Sequence, residues 1–181
     1  MKCIQTPLSR EVIKSLRAGE GVLLTGVIYT ARDAAHKRMA ELLASGMALP
    51  FDAEGQAIYY AGPCPAPPGR IIGSIGPTTS SRMDSYSPLF IKEGLRVMIG
   101  KGPRSQEVID SIMEHTGIYF AAVGGAGAIL SLCVKQAEIA AFEDLGTEAV
   151  YRLVVQDMPL VVAVDCFGDS LMFYKQNQQK E

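Results

Sequence analysis

The 181-residue sequence contains no tryptophan and only two histidines, His36 and His115, so it offers few imidazole ligands for a metal of its own. Its four cysteines, Cys3, Cys64, Cys133 and Cys166, lie 61, 69 and 33 residues apart, with no C-x-x-C pair. That spacing matches neither a structural zinc site nor a disulfide framework. Excess charge is also missing: 17 Lys and Arg stand against 19 Asp and Glu, a formal net charge of −2. No broad basic field is therefore available to neutralise a phosphate backbone, and a nucleic-acid partner is not expected. The start, MKCIQTPLSR, lacks the apolar stretch of a signal peptide, which favours a reducing cytoplasm with free thiols. One stretch, Gly117 to Val134, has 18 residues without a charge, the length at which a membrane span becomes a candidate. Its β-branched and aromatic opening, the glycines 124, 125 and 127, and its Ala/Leu-rich end read better as strand, glycine turn and buried helix.

What is present is the composition of an ordinary globular chain, 48% apolar and 20% charged, of a size that fits one domain. Ser9 is placed to cap a short helix through Leu16 that Gly19 ends, and Gly21 to Tyr29 reads as a buried strand. Thr30 then caps a helix whose Ala35, Met39, Leu42 and Leu43 share a face, closed by Gly46. Residues 47–69, with five prolines, read as a hairpin and ordered loop around a short strand, Gln56 to Tyr60. Strands are expected at 70–75 and at Arg96 to Ile99. Between them, Ser87 and Pro88 serve as N-cap and first-turn residues of a helix ended by Gly94. A helix begun by Pro103 carries Val108, Ile109, Ile112 and Met113 as its buried stripe. Further strands are expected at Ile118 to Val123, Val150 to Val155, Leu160 to Val164 and, beyond a turn at Gly168-Asp169, Leu171 to Tyr174. The polar tail KQNQQKE is expected to fray. The fold class is α/β with a mixed sheet, in a single domain spanning 1–181.

Three cationic positions follow strands, and in α/β sheets ligands gather at the carboxyl ends of strands. In GSIGPTTSSRMD (73–84), a Gly-Pro turn is followed by four consecutive hydroxyl residues and Arg82. Such a turn can aim N–H groups, hydroxyls and a guanidinium at one anion, although a Ser/Thr-rich turn with a solvated arginine fits it equally well. Arg32, in the first turn of its helix, opposes the helix dipole, as an anion site would use; neutralisation by Asp33 is the simpler account. Lys101 sits in IGKGPR between two glycines, which allow close approach of a ligand, or it is an ordinary loop lysine. The spacing is not that of a Walker A loop, and Gly125-x-Gly127 lacks the third small residue of a dinucleotide fingerprint because Leu130 takes its place. Two arginines and a lysine suit a small dicarboxylate. His36, one turn after Arg32, is an acid or base candidate, or a satisfied histidine. None of the cysteines, Cys64 between prolines included, is assigned chemistry, since free cysteines usually act as small buried hydrophobes. Glu148 and Asp165, which end or border apolar strands, are expected at most as network partners, and nothing in the sequence singles them out.

Several segments in order resemble a known family: YTARDAAHKRM (29–39), IYYAGP (58–63), GSIGPTTSSRMDSY (73–86), MIGKGPRS (98–105), VGGAGA (123–128) and DLGTEAVY (144–151). They are similar to the C-terminal domain, or separate beta subunit, of class I fumarate hydratases and to L(+)-tartrate dehydratases. The resemblance covers nearly the full length, with Ser81, Gly127 and Thr147 departing mildly from the usual pattern. It implies a swivelling β/β/α domain and a hydro-lyase of the cytoplasm and the tricarboxylic acid cycle, inactive without an alpha subunit, in an alpha2beta2 assembly. It also implies that the partner holds a [4Fe–4S] cluster through three cysteines, leaving one iron open to substrate. This chain would close over it with Arg32, Thr78, Thr79, Arg82 and Lys101 as substrate-binding residues. Thr78 and Arg82 are the catalytic candidates, with His36 and Asp84 behind them and no metal ligand in this chain. Fumarate hydration to L-malate is the expected reaction, with dehydration of L-tartrate to oxaloacetate, or organic-acid binding without chemistry, as alternatives.

Overall fold

Two long strands bend, and the bend lets one sheet close on itself. The computed structural model describes residues 1–122 and 127–171. Strand β2 (Gly21–Thr30) and strand β7 (Val150–Val164) run antiparallel along their whole lengths, with a break in register between Leu24 and Gly26. At that break Gly26 has φ 121° and, across the ladder, Asp157 has φ 52°, a bulge that turns both strands. Before the bend, β2 carries β1 (Lys2–Gln5) on its other edge; after it, β2 carries β3 (Ala57–Tyr59). Strand β3 continues in parallel to β4 (Val97–Gly100) and β5 (Ile118–Ala121), and β5 meets β7 antiparallel. The ring β2-β3-β4-β5-β7 is thereby closed, and β6 (Val134–Ala141) lies outside it, pairing with the first part of β7, Val150 to Val155, on the edge whose last part pairs with β5.

Strand alternation separates two cores. Leu24, Ile28, Tyr59, Ile99, Phe120, Leu153 and Val162 belong to one cluster, which also takes in Ile13 of α1 (Arg10–Lys14) and Leu130 of α5 (Gly127–Leu132). The intervening residues Ile58, Tyr60, Met98 and Tyr119 face a second cluster. It is covered by α2 (Asp33–Ala44), α3 (Ser87–Lys92) and α4 (Gln106–His115). Each helix presents an apolar stripe: Ala35 and Met39, Phe90 and Ile91, and Val108, Ile109 and Ile112. The α/β class with a mixed sheet is thus observed. Among the described residues no helix is long and apolar enough to cross a membrane.

Several local expectations change. Residues 70–75 are not a strand: Gly73 and Ile75 give their N–H groups to the carbonyls of Cys64 and Gly127, and Ser74 accepts from Cys64. The segment spends its hydrogen bonds on loops, so none remain for a ladder. The two strands expected at 150–155 and 160–164 are one, because the bulge at Asp157 accommodates Pro159 within the ladder. Thr30 ends β2, its hydroxyl accepting the Tyr151 N–H at 3.2 Å, and Arg32 takes the N-cap position of α2. Tyr86, not Ser87, caps α3, and Ser105, not Pro103, caps α4, accepting from Val108. Met113 is half exposed, because Ser111 shares the buried face of α4 with Ile112. Strands β1 and β6 have no counterpart in the sequence reading. Ser9 does cap α1, accepting from Val12 at 3.3 Å. The expected strand end at Val123, the Gly125-x-Gly127 turn and residues 172–174 with the tail fall wholly or partly outside the described residues.

Candidate functional site

The four parallel strands β2 to β5 end on one edge of the sheet, and the sequence following each end converges there. The segment after β3 returns to this edge and is fastened at several points. Tyr59, inside the ring, donates its hydroxyl to Ile75 O at 2.7 Å, and burial pushes its phenol pKa up. The Thr78 N–H donates to Tyr60 O at 2.6 Å. Thr79 forms a parallel bridge with Lys101, just past β4, and the Ser80 N–H donates to Lys101 O at 2.9 Å. The Ser80 hydroxyl donates to Tyr119 Oη at 2.9 Å, while the Tyr119 hydroxyl donates to Gly102 O at 2.9 Å. Burial raises the Tyr119 pKa to about 12, so it stays a neutral donor. Gly100 allows this close seating: a Cβ there would stand 2.0 Å from Ser80 Oγ.

A short 3-10 turn, Ser80–Met83, then carries Arg82 outward. Its guanidinium makes a two-pronged ion pair with Asp33, at 3.0 Å from Nε to Oδ1 and 2.7 Å from Nη2 to Oδ2. Asp33 is the first residue of α2, so the pair ties the Arg82 turn to the start of the helix that Arg32 precedes. Arg32 lies 3.5 Å from Glu148 Oε1, and the other oxygen of Glu148 accepts the Ala34 N–H at 3.2 Å. Glu148 therefore supplies the carboxylate that the positive end of α2 favours, in place of a side-chain cap. The Arg32 chain packs over Gly62, where a Cβ would lie 3.0 Å from Arg32 Cδ, and its buried Nε has no hydrogen-bond partner among the described residues. Both arginines are thus held by carboxylates from neighbouring elements, whereas Lys101 is exposed and pairs with no described acid. The Thr78 hydroxyl is half-buried and has no partner among the described residues.

The two residues placed behind these are not in the open part of the site. His36 is buried among the rings of Tyr60, Tyr86 and Phe90, and its Nδ1 is 2.9 Å from Arg32 O, an acceptor, so Nδ1 carries the proton. Burial pushes its pKa down to about 4, which leaves it neutral near pH 7. Asp84 is buried in an ion pair with Arg104, 2.7 Å from Oδ1 to Nε. Glu148, expected as a network partner, is one through Arg32 and the Ala34 N–H, whereas Arg104 had no expected role. The available signal was a charged residue bordering an apolar element, which does not distinguish a buried partner from a solvated one.

The chemistry of this edge is that of an anion clamp: two guanidinium groups, one ammonium and free hydroxyls, in a chain of slightly negative net charge. A cleft of about 680 Å³ between α3 and α4 has Glu107, Asp110 and Glu114 against a single Lys92 in its lining, a mostly acidic wall that suits the same ligand less well. No described group of three His, Cys, Asp or Glu is placed to hold a metal ion. Cys3 lies on β1, Cys64 after β3, Cys133 before β6 and Cys166 after β7. The residues described do not fit an iron–sulfur cluster.

A family model described as Fumarase C-terminus matches residues 3–176. The chain belongs to this family. Among Fumarase C-terminus relatives, the anaerobic class I fumarate hydratase of Escherichia coli is 41% identical over 160 residues, covering 87% of this chain and 29% of the enzyme. Fumarate hydratase 2 of Leishmania major is 40% identical over 164 residues, covering 90% of this chain and 29% of that one. The putative L(+)-tartrate dehydratase subunit beta of Methanocaldococcus jannaschii is 39% identical over 170 residues, covering 91% and 87% of the two chains. The present chain thus spans under a third of the two fumarate hydratases, and nearly the whole of a protein named as a subunit.

Proposed function

We propose that residues 1–181 act as one swivelling domain, the beta half of a two-part cytoplasmic hydro-lyase that interconverts fumarate and L-malate. The observation that carries this reading is the joining of Arg82 to the start of α2 through Asp33. With Thr79 bridged to Lys101, it gathers Arg32, Arg82, Lys101 and the Thr78 hydroxyl at one edge of the sheet. Family membership supports it, since relatives with this domain are named fumarate hydratases. The other half, an alpha subunit in an alpha2beta2 assembly, would hold the [4Fe–4S] cluster that this chain's cysteines do not fit.

This chain's part in the reaction follows from charge. Hydration of a double bond between two carboxylates builds negative charge on one of them in the transition state, and fixed cations placed there lower the barrier. Arg32 offers a planar fork that matches a carboxylate, Arg82 keeps Nη1 without a partner among the described residues beside its pair with Asp33, and Lys101 adds a mobile point charge. Asp33 and Glu148 keep the forks oriented before substrate arrives, which reduces the cost of ordering them on binding. Thr79, bridged to Lys101, would line the same pocket. Thr78 either orients the substrate or takes part in proton transfer; no described residue is hydrogen-bonded to its hydroxyl to accept the proton, which favours orientation.

The match to a tartrate dehydratase subunit along 87% of its length supports L(+)-tartrate dehydration to oxaloacetate as the second reading. Co-expression with the alpha partner under anaerobic conditions, followed by turnover assays on malate, fumarate and tartrate, separates the two. Malate and fumarate are expected to be the faster substrates. Faster tartrate turnover selects the second reading. Turnover of none of the three, with tight dicarboxylate binding by the isolated chain, would leave a binding module instead.

A further inference from the structure

The Arg104 side chain is wholly excluded from solvent. Its Nε donates to Asp84 Oδ1 at 2.7 Å, while Nη2 donates to Ser87 Oγ at 2.6 Å and, longer, to Tyr60 Oη at 3.4 Å. The guanidinium carbon stands 5.2 Å from the Tyr60 ring centre and 4.9 Å from that of Tyr119. The other oxygen of Asp84 accepts the Ser105 N–H at 2.6 Å. Arg104 follows Lys101 by three residues, and Asp84 follows Arg82 by two. One buried pair therefore joins the loop that carries Lys101 to the turn that carries Thr78, Thr79 and Arg82, and Tyr60 and Ser87 attach both to β3 and α3.

Stability alone is a poor reason for such a pair, since well-packed apolar residues usually serve a buried site as well as two desolvated charges. A guanidinium differs in offering several donors in a rigid plane, which fixes its partners at set distances. We propose that Arg104 and Asp84 are positioning residues, whose buried pair sets the spacing between the Thr78–Arg82 turn and Lys101. The catalytic consequence rests on the hydro-lyase reading; the geometric one does not.

The test compares the wild-type chain with R104M, R104M/D84N and R104K, each assembled with the alpha partner. R104M leaves Asp84 buried and unpaired, and its melting temperature falls. R104M/D84N removes both charges and regains most of that stability, yet kcat stays about 100-fold down, with KM raised less than about tenfold, as expected for misplaced groups. Amide exchange at Thr78 and Ser80 accelerates in the double variant, while Ile28 and Leu153 in the ring keep their protection. R104K retains the charge without the fork, and is expected to melt near the wild-type temperature with kcat at least about tenfold lower; it serves if the double variant does not fold. Wild-type kcat in the double variant or in R104K overturns the proposal, as does a loss of kcat without faster exchange at Thr78 and Ser80. If the wild-type complex turns over none of the three acids, the hydro-lyase reading fails, and exchange at Thr78 and Ser80 alone decides the positioning role.

Discussion

Arg82 and His36 show how burial separates residues that look alike as candidates. Arg82 is half exposed, and its pair with Asp33 is a surface pair of the kind that contributes about 0–1 kcal/mol. Asp33 left alone still suits the first turn of α2. R82A is therefore expected to melt close to the wild type while kcat of the assembled enzyme falls about 10²–10³-fold, as when one transition-state donor is removed. Parallel melting and turnover measurements check this, and an unchanged kcat would remove Arg82 from the site. His36 is the opposite case. Its pKa in the fold, about 4, lies below its ordinary 6.5, so between those values the unfolded chain binds the extra proton. Stability present above pH 6.5 is thus lost as the pH falls toward 4, by on the order of 3 kcal/mol. H36N, whose amide can still donate to Arg32 O, is expected to show a shallower fall of melting temperature over that window. An equal fall in both proteins would mean that carboxylates account for it.

At the scale of elements, the site depends on how closely the turn after β3 rests on the end of β4. A methyl group at Gly100 would meet Ser80 Oγ at 2.0 Å and the Tyr60 ring at 2.9 Å. The turn must then lift, carrying Thr78 and Arg82 away from Lys101. G100A is expected to cost about 1–3 kcal/mol through overpacking and to lower kcat of the assembled enzyme. Urea unfolding and turnover would show the two losses together, and a variant with wild-type stability would contradict the close seating. The elements themselves were unevenly legible. β2, β4, α2 and α4 carry continuous apolar runs or clear helical stripes, and their positions in the sequence and the structure agree. Residues 70–75 show the same β-branched signal, but Cys64 and Gly127 take their backbone groups. β6 shows almost no signal, because only Val134 of its eight residues is buried.

For the whole molecule, the closed ring leaves Arg32, Arg82 and Lys101 near the ends of its parallel strands. On the proposed reading, in which the other half holds the cluster, the isolated chain is expected to show no turnover of malate or tartrate, and activity is expected to appear on adding the alpha partner. Titrating one chain into the other while following fumarate absorbance measures this. Activity of the chain by itself would show that it contains a complete active site. The near-neutral total charge conceals the clamp, because Asp33 and Glu148 balance Arg32 and Arg82 locally.

The sequence by itself determined the α/β class, the positions of Arg32 and Lys101 after strands, and the family, because periodicity and motif are local properties read along the chain; Arg82 follows a loop where a strand was expected. Only the tertiary structure decided that Asp33 and Glu148 hold the arginines and that Arg104 is buried with Asp84. It alone showed that β2 and β7 bend to close the sheet. Each of those depends on groups 20 to 140 residues apart in the chain. Whether a charge is solvated or paired is set by what packs over it, and no local pattern encodes that.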